Sequence, residues 1–145
     1  VIGHIGDSRC YRLRGQVFQQ ITKDHSWVQA QLDAGLITAQ QALTSAHKNL
    51  VTRALGVTNT VLLEVNEHRV KSGDIYLMCS DGLSDMLLDA GIASILSSHG
   101  TLREKAERLV IAAKEGGGRD NISVVLAHAV EDTRKKSFLS RLLGK

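Results

Sequence analysis

The sequence contains no proline and little aromatic character: 3% of 145 residues, shared among one Trp, two Tyr and two Phe. So few rings leave little on which nucleic-acid bases could stack. Charge is no stronger a signal. Eighteen Lys and Arg stand against fifteen Asp and Glu, a net +3, which is an ordinary mixed surface and makes no case for nucleic acid as a partner. No apolar run approaches the roughly 18–20 residues that cross a bilayer, and no signal-peptide pattern opens the chain. Cysteine is scarce too. Cys10 and Cys79 sit singly in strand-like segments, without C-x-x-C or Cys/His ligand spacing, and read as small buried thiols in a reducing cytoplasm. No repeat or low-complexity tract is present.

What is there is enough for one domain. With 43% hydrophobic residues, the chain can bury a single core. Val1 opens directly into the apolar "VIGHIGDSR" with no initiator Met, so the expectation is a piece of a longer protein. "VIGHIGDSRCYRLRGQVFQQIT" predicts two strands turning at Arg14-Gly15-Gln16. Gly6-Asp7-Ser8 interrupts the first as a bulge or close backbone approach would. Ser26 predicts a cap for a short helix over "WVQAQLDA", closed by Gly35, in which Trp27 reads as a packing residue. "TAQQ" predicts a capping box for a second short helix reaching about Ala46. The segment 61–79 predicts a pair of strands around Lys71-Ser72-Gly73. Helical segments follow at "DGLSDML" and "AGIASIL", the second capped by Asp89. Thr101 and Glu104 form a capping box for the clearest helix, with Leu102, Ala106, Leu109, Val110 and Ala113 on one face. Three glycines end it, and "NISVVLAHAV" is a further strand. Strands and helices come in blocks, which predicts an α+β fold.

The chemistry lies in the aspartates. Asp7 interrupts a strand at Gly-Asp-Ser-Arg, Asp81 ends one at Ser-Asp-Gly, and Asp120 precedes one at Arg-Asp-Asn. Asp85 follows Asp81 at helical spacing. A carboxylate beside an apolar strand is costly unless compensated; either it shapes a turn or it helps hold a cation. Clustered carboxylates at strand ends are what Mg²⁺ or Mn²⁺ requires, and without a cation they repel one another. The six histidines show no ligand spacing, and His25 reads as a local hydrogen-bonding residue.

In order and context these motifs resemble the metal-dependent protein phosphatases of the PPM (PP2C) type, nearest the bacterial branch that opposes Hanks-type Ser/Thr kinases. The resemblance runs from residue 1 to about 130. It rests on "VIGHIGDSRCYRLRGQVFQQITKDHSWVQ", on "LDAGLIT" and "NLVTRALG", on "GDIYLMCSDGLSDML" and on "GGGRDNISVVL". It implies part of a β-sandwich flanked by helices in α-β-β-α layers, with a small helical flap at about 26–49. It implies hydrolysis of phosphoserine and phosphothreonine in proteins by a metal-activated water, with Mn²⁺ or Mg²⁺ as cofactor and no phosphoenzyme. By position, Asp81 and Asp120 match ligands of the two-metal core. Asp7 matches the ligand of a third ion, and Asp85 an acidic position near it. Implied partners are phosphoprotein substrates and a Hanks-type kinase with its targets.

Two departures stand out. The family's N-terminal motifs, an arginine that grips phosphate and an Asp-Gly that bridges the metals, would lie before Val1. The chain alone is therefore expected to be inactive. The flap reads Ser45-Ala46-His47-Lys48 where relatives commonly have His-Pro before the residue matching Asn49. The tail 131–145 is basic and reads as a solvated terminus rather than a membrane or docking contact. The alternative reading is a non-catalytic module that binds a phosphoprotein or kinase.

Overall fold

In the computed structural model, which describes residues 1–47, 50–57 and 60–131, the first apolar segment divides between two sheets. Strand β1 (Ile2–His4) pairs antiparallel with β4 (Glu64–Asn66), His4 standing opposite Glu64. After a crossover at residues 5–8 the chain enters β2 (Arg9–Arg14), in the other sheet. The expected bulge is thus a change of sheet, with Gly6 at φ +93° making the turn that other residues rarely adopt. Gly15, at φ +59°, turns β2 into β3 (Val17–Gln20) as the hairpin pattern predicts.

The second sheet has the order β3-β2-β5-β6, all antiparallel, with β5 at Ile75–Cys79 and β6 at Val124–His128. The two strands expected in 61–79 do form, but they never pair with each other: β4 goes to β1, and β5 lies between β2 and β6.

One face of this sheet is closed by helices. Tyr11, Leu13, Leu77 and Cys79 pack against Leu83, Ile92, Leu96, Leu109 and Ala113. Each fully buried leucine or isoleucine here contributes about 1.5–3 kcal/mol. The helices are α3 (Asp81–Ser84), α4 (Asp89–Ser97) and α5 (Leu102–Glu115). Thr101 and Glu104 form the expected capping box on α5. Lys105, on its buried face, was not expected there. Its ammonium donates to the Leu96 carbonyl at 2.6 Å, which satisfies the negative end of α4. Asp89 is not a cap. Leu88 occupies that position, and Asp89 lies in the first turn, where a carboxylate still favours the helix N-terminus.

The other face of the four-stranded sheet looks toward β1 and β4 across a cleft of about 530 Å³ lined by Ile2, Ile5, Cys10, Leu63, Met78 and Val125, among others. The flap region carries α1 (Trp27–Asp33), capped by Ser26, and α2 (Ala39–Leu43), which has the predicted capping box at Thr38 and Gln41. The second helix stops at Leu43, short of Ala46, and Val28 is the one buried residue of the pair. Trp27 is 49% exposed, which overturns its reading as a packing residue. Asn49 and the tail beyond residue 131 fall outside the described residues. No described helix is long and apolar enough to cross a membrane.

Candidate metal centre at one end of the sheet

Strand register brings three of the four aspartates to one end of the sheet. Arg9 stands opposite Cys79, and Cys79 opposite Val124. Asp7, two residues before Arg9, therefore lies at the same edge as Asp81, two residues after Cys79. Asp120 arrives there by the loop that leads into β6. The backbone and hydroxyl of Ser80 hold that loop: Ser80 N–H donates to the Ser123 carbonyl at 3.2 Å, Ser80 Oγ donates to the Asn121 carbonyl at 2.9 Å, and Ser123 N–H donates back to Ser80 Oγ at 3.0 Å. Gly82 is required by this contact. A Cβ there would overlap the Asn121 carbonyl oxygen.

Local hydrogen bonds shape the carboxylates. Gly82 N–H donates to Asp81 Oδ1 at 2.9 Å, and Asn121 N–H donates to Asp120 Oδ1 at 2.6 Å. Asp85 closes the short α3, its N–H donating to the Asp81 carbonyl at 2.8 Å. Electrostatics ties the group together. Burial raises the Asp81 pKa first; the negative charge of Asp7 raises it next, and Asp120 and Asp85 add to the shift, while the Gly82 hydrogen bond opposes it. The site thus disfavours the charge of its own central carboxylate. Hard carboxylate oxygens that repel one another are the donor set of a divalent cation such as Mg²⁺ or Mn²⁺, so these residues fit such an ion.

Among the described residues, the one trio whose ligand atoms all lie within 4.8 Å of one another is His4, His25 and Glu64. Sequence spacing hides it, because the three are far apart in the chain and meet only through the β1–β4 pairing and the loop before α1. Asp7, Asp81 and Asp120 share the sheet edge but form no trio that tight. Both cysteines are free and buried, as expected. Burial pushes the Cys10 thiol up to about 11 and the Cys79 thiol up to about 12, so neither offers a thiolate nucleophile near neutral pH.

No family model matches the sequence. The serine/threonine phosphatase stp of Listeria innocua is 41% identical over 126 residues, which is 87% of this chain and 50% of that protein. The Streptococcus agalactiae serine/threonine phosphatase structure superposes with a TM-score of 0.83 at 36% identity, over 89% of this chain and 53% of that one. The catalytic domain of the phosphatase PstP, solved in complex with two manganese ions, gives 0.74 at 44% identity, over 89% of this chain and 53% of that one. The chain spans about half the length of the curated relatives it matches. In sequence and in fold it matches the C-terminal part of PPM/PP2C-type serine/threonine phosphatases.

Proposed function

We propose that this chain is part of a metal-dependent protein phosphatase that hydrolyses phosphoserine and phosphothreonine in proteins. The observation that carries the reading is the convergence of Asp7, Asp81 and Asp120 on one sheet edge by strand register, with Asp85 one turn from Asp81. Asp81 and Asp120 are assigned to the two-metal core, and Asp7 with Asp85 to a third ion. When bound, Mg²⁺ or Mn²⁺ would acidify a water and draw charge from the phosphoryl oxygens. The chain's own groups do the rest. The carboxylates would fix where the cations sit, and the Ser80–Asn121–Ser123 contacts hold Asp81 and Asp120 at the edge. The reaction breaks the ester P–O bond and returns the Ser or Thr hydroxyl, with water supplying the new phosphate oxygen. The high thiol pKa values support direct attack by water over a cysteinyl-phosphate. The other half of a relative-length domain would supply the remaining ligands and the phosphate grip. Substrates would be phosphoproteins, among them targets of a Hanks-type kinase, and the compartment the cytoplasm.

The test is hydrolysis of a small phosphate ester with Mn²⁺ by the full gene product and by its Asp81→Asn and Asp120→Asn forms. Each substitution is expected to lower kcat by at least about a hundredfold, the scale of losing one electrostatic contact to the transition state. Wild-type turnover in either variant would overturn the assignment.

A further inference from the structure

The His4, His25 and Glu64 cluster invites reading as a second metal site, but its hydrogen bonds oppose that. Gly6 N–H donates to His25 Nδ1 at 3.1 Å, so Nδ1 is the acceptor of that ring. The proton of the neutral imidazole then sits on Nε2, 3.1 Å from Glu64 Oε2, where it donates. A cation at Nε2 would need both ring nitrogens deprotonated. Arg53 Nη1, 3.5 Å from Nε2, cannot donate to it for the same reason.

The same bonds assign the ring another task. His25 grips Gly6 twice, because its own N–H also donates to the Gly6 carbonyl at 2.8 Å. Gly6 is buried and immediately precedes Asp7. The far side of Asp7 is held by the same loop. Asp24 accepts from Arg9 Nε at 3.0 Å and Nη2 at 2.7 Å, and Thr22 Oγ1 accepts from Cys10 N–H at 2.9 Å. Residues 22–25 therefore clasp the sheet-changing crossover on both flanks of Asp7. The clasp is itself braced. Glu64 orients the ring, His4 stacks on it with centroids 4.9 Å apart, and Thr52 N–H donates to the His25 carbonyl at 2.7 Å.

We infer that His25 is a positioning residue: by accepting the buried Gly6 N–H at Nδ1, it fixes Asp7 at the sheet edge for its cation. The inference rests on the proposed metal centre. Loss of the acceptor would strand a buried N–H and free the turn.

The test uses isosteric halves of the ring in the ¹⁵N-labelled chain. His25→Asn places Oδ1 where Nδ1 was and keeps the acceptor. His25→Gln keeps a donor toward Glu64 and loses the acceptor. Two signals are read: hydrogen exchange at the Gly6 amide, and Mg²⁺-induced shifts of the Asp7, Asp81 and Asp120 amides, which report each ligand locally. In His25→Gln, Gly6 exchange is expected to quicken, and the Mg²⁺ concentration that shifts Asp7 to rise about 10- to 100-fold, the usual cost of losing support behind a ligand. The shifts at Asp81 and Asp120 should persist, and His25→Asn should track the wild type. An unchanged Asp7 response in His25→Gln, or equal damage in His25→Asn, overturns the positioning role alone. Absence of Mg²⁺ effects at all three aspartates of the wild type overturns the metal centre and the inference with it.

Discussion

Strand β5 has an aspartate just outside each end, and the two live in opposite electrostatic settings. Asp74, before the strand, is 1% exposed. It accepts from Arg14 Nε and Nη2, both at 2.7 Å, and from Lys71 N–H at 2.8 Å. The Arg14 guanidinium first, and the Lys71 amide with it, hold this carboxyl well below the usual carboxylate range against the cost of burial. Asp81, after the strand, is held by one amide and faces like charges, and its pKa moves the other way. Residue type and strand are the same; the difference is the partner. A buried carboxylate with its counter-charge built into the chain is structural, whereas one set among other acids leaves room for a charge from outside.

The contrast can be broken or sharpened by substitution. Gly82→Ala should have the largest effect, because its Cβ meets the backbone of the Asp120 loop rather than a yielding side chain. We expect a loss of about 2–3 kcal/mol in urea unfolding, the scale of overpacking a tight contact. A fully stable variant would mean the Asp81–Asp120 juxtaposition is looser than described. Asp74→Asn should come next, lowering Tm by about 3–6 °C at neutral pH. Because the folded pKa of Asp74 is depressed, its contribution is complete above the unfolded value near 3.8. It drains away as pH falls below that toward the folded pKa. Acid titration of stability should therefore be shallower below about pH 4 in Asp74→Asn than in the wild type. Equal slopes would remove Asp74 as the structural end of the comparison. Asp81→Asn should be the smallest and opposite in sign. Without divalent metal it relieves repulsion and raises Tm by about 1–3 °C; a fall of that size would show that Asp81 is already compensated.

How much of this was legible in the sequence depended on how far each interaction reaches along the chain. The Gly15 turn and the capping boxes at Thr38 and Thr101 are decided within four residues, and they were legible. The change of sheet at Gly6 was not, because a glycine that breaks a strand looks the same whether the strand resumes its pairing or leaves for another. For the same reason two strands in 61–79 were visible and their separate partners were not. The burial of Lys105 depends on a helix end nine residues back in the chain, and the Arg14–Asp74 pair on residues sixty apart. The acids Asp7, Asp81, Asp85 and Asp120 could be named from their motifs. His25 was legible as a hydrogen-bonding residue, but the clasp that it and Asp24 make around Asp7 was not, since its partners Gly6 and Arg9 lie 19 and 15 residues away in the chain. Local patterns marked the ends of strands; only the register showed that those ends coincide.

The most direct measurement is a Mn²⁺ titration of Tm for the wild-type chain beside Asp81→Asn and Asp120→Asn. A cation held by these carboxylates stabilises the folded state by mass action. The account predicts a Tm that climbs with Mn²⁺ in the wild type and stays nearly flat in both variants. The same climb in all three proteins, or none in the wild type, would contradict it.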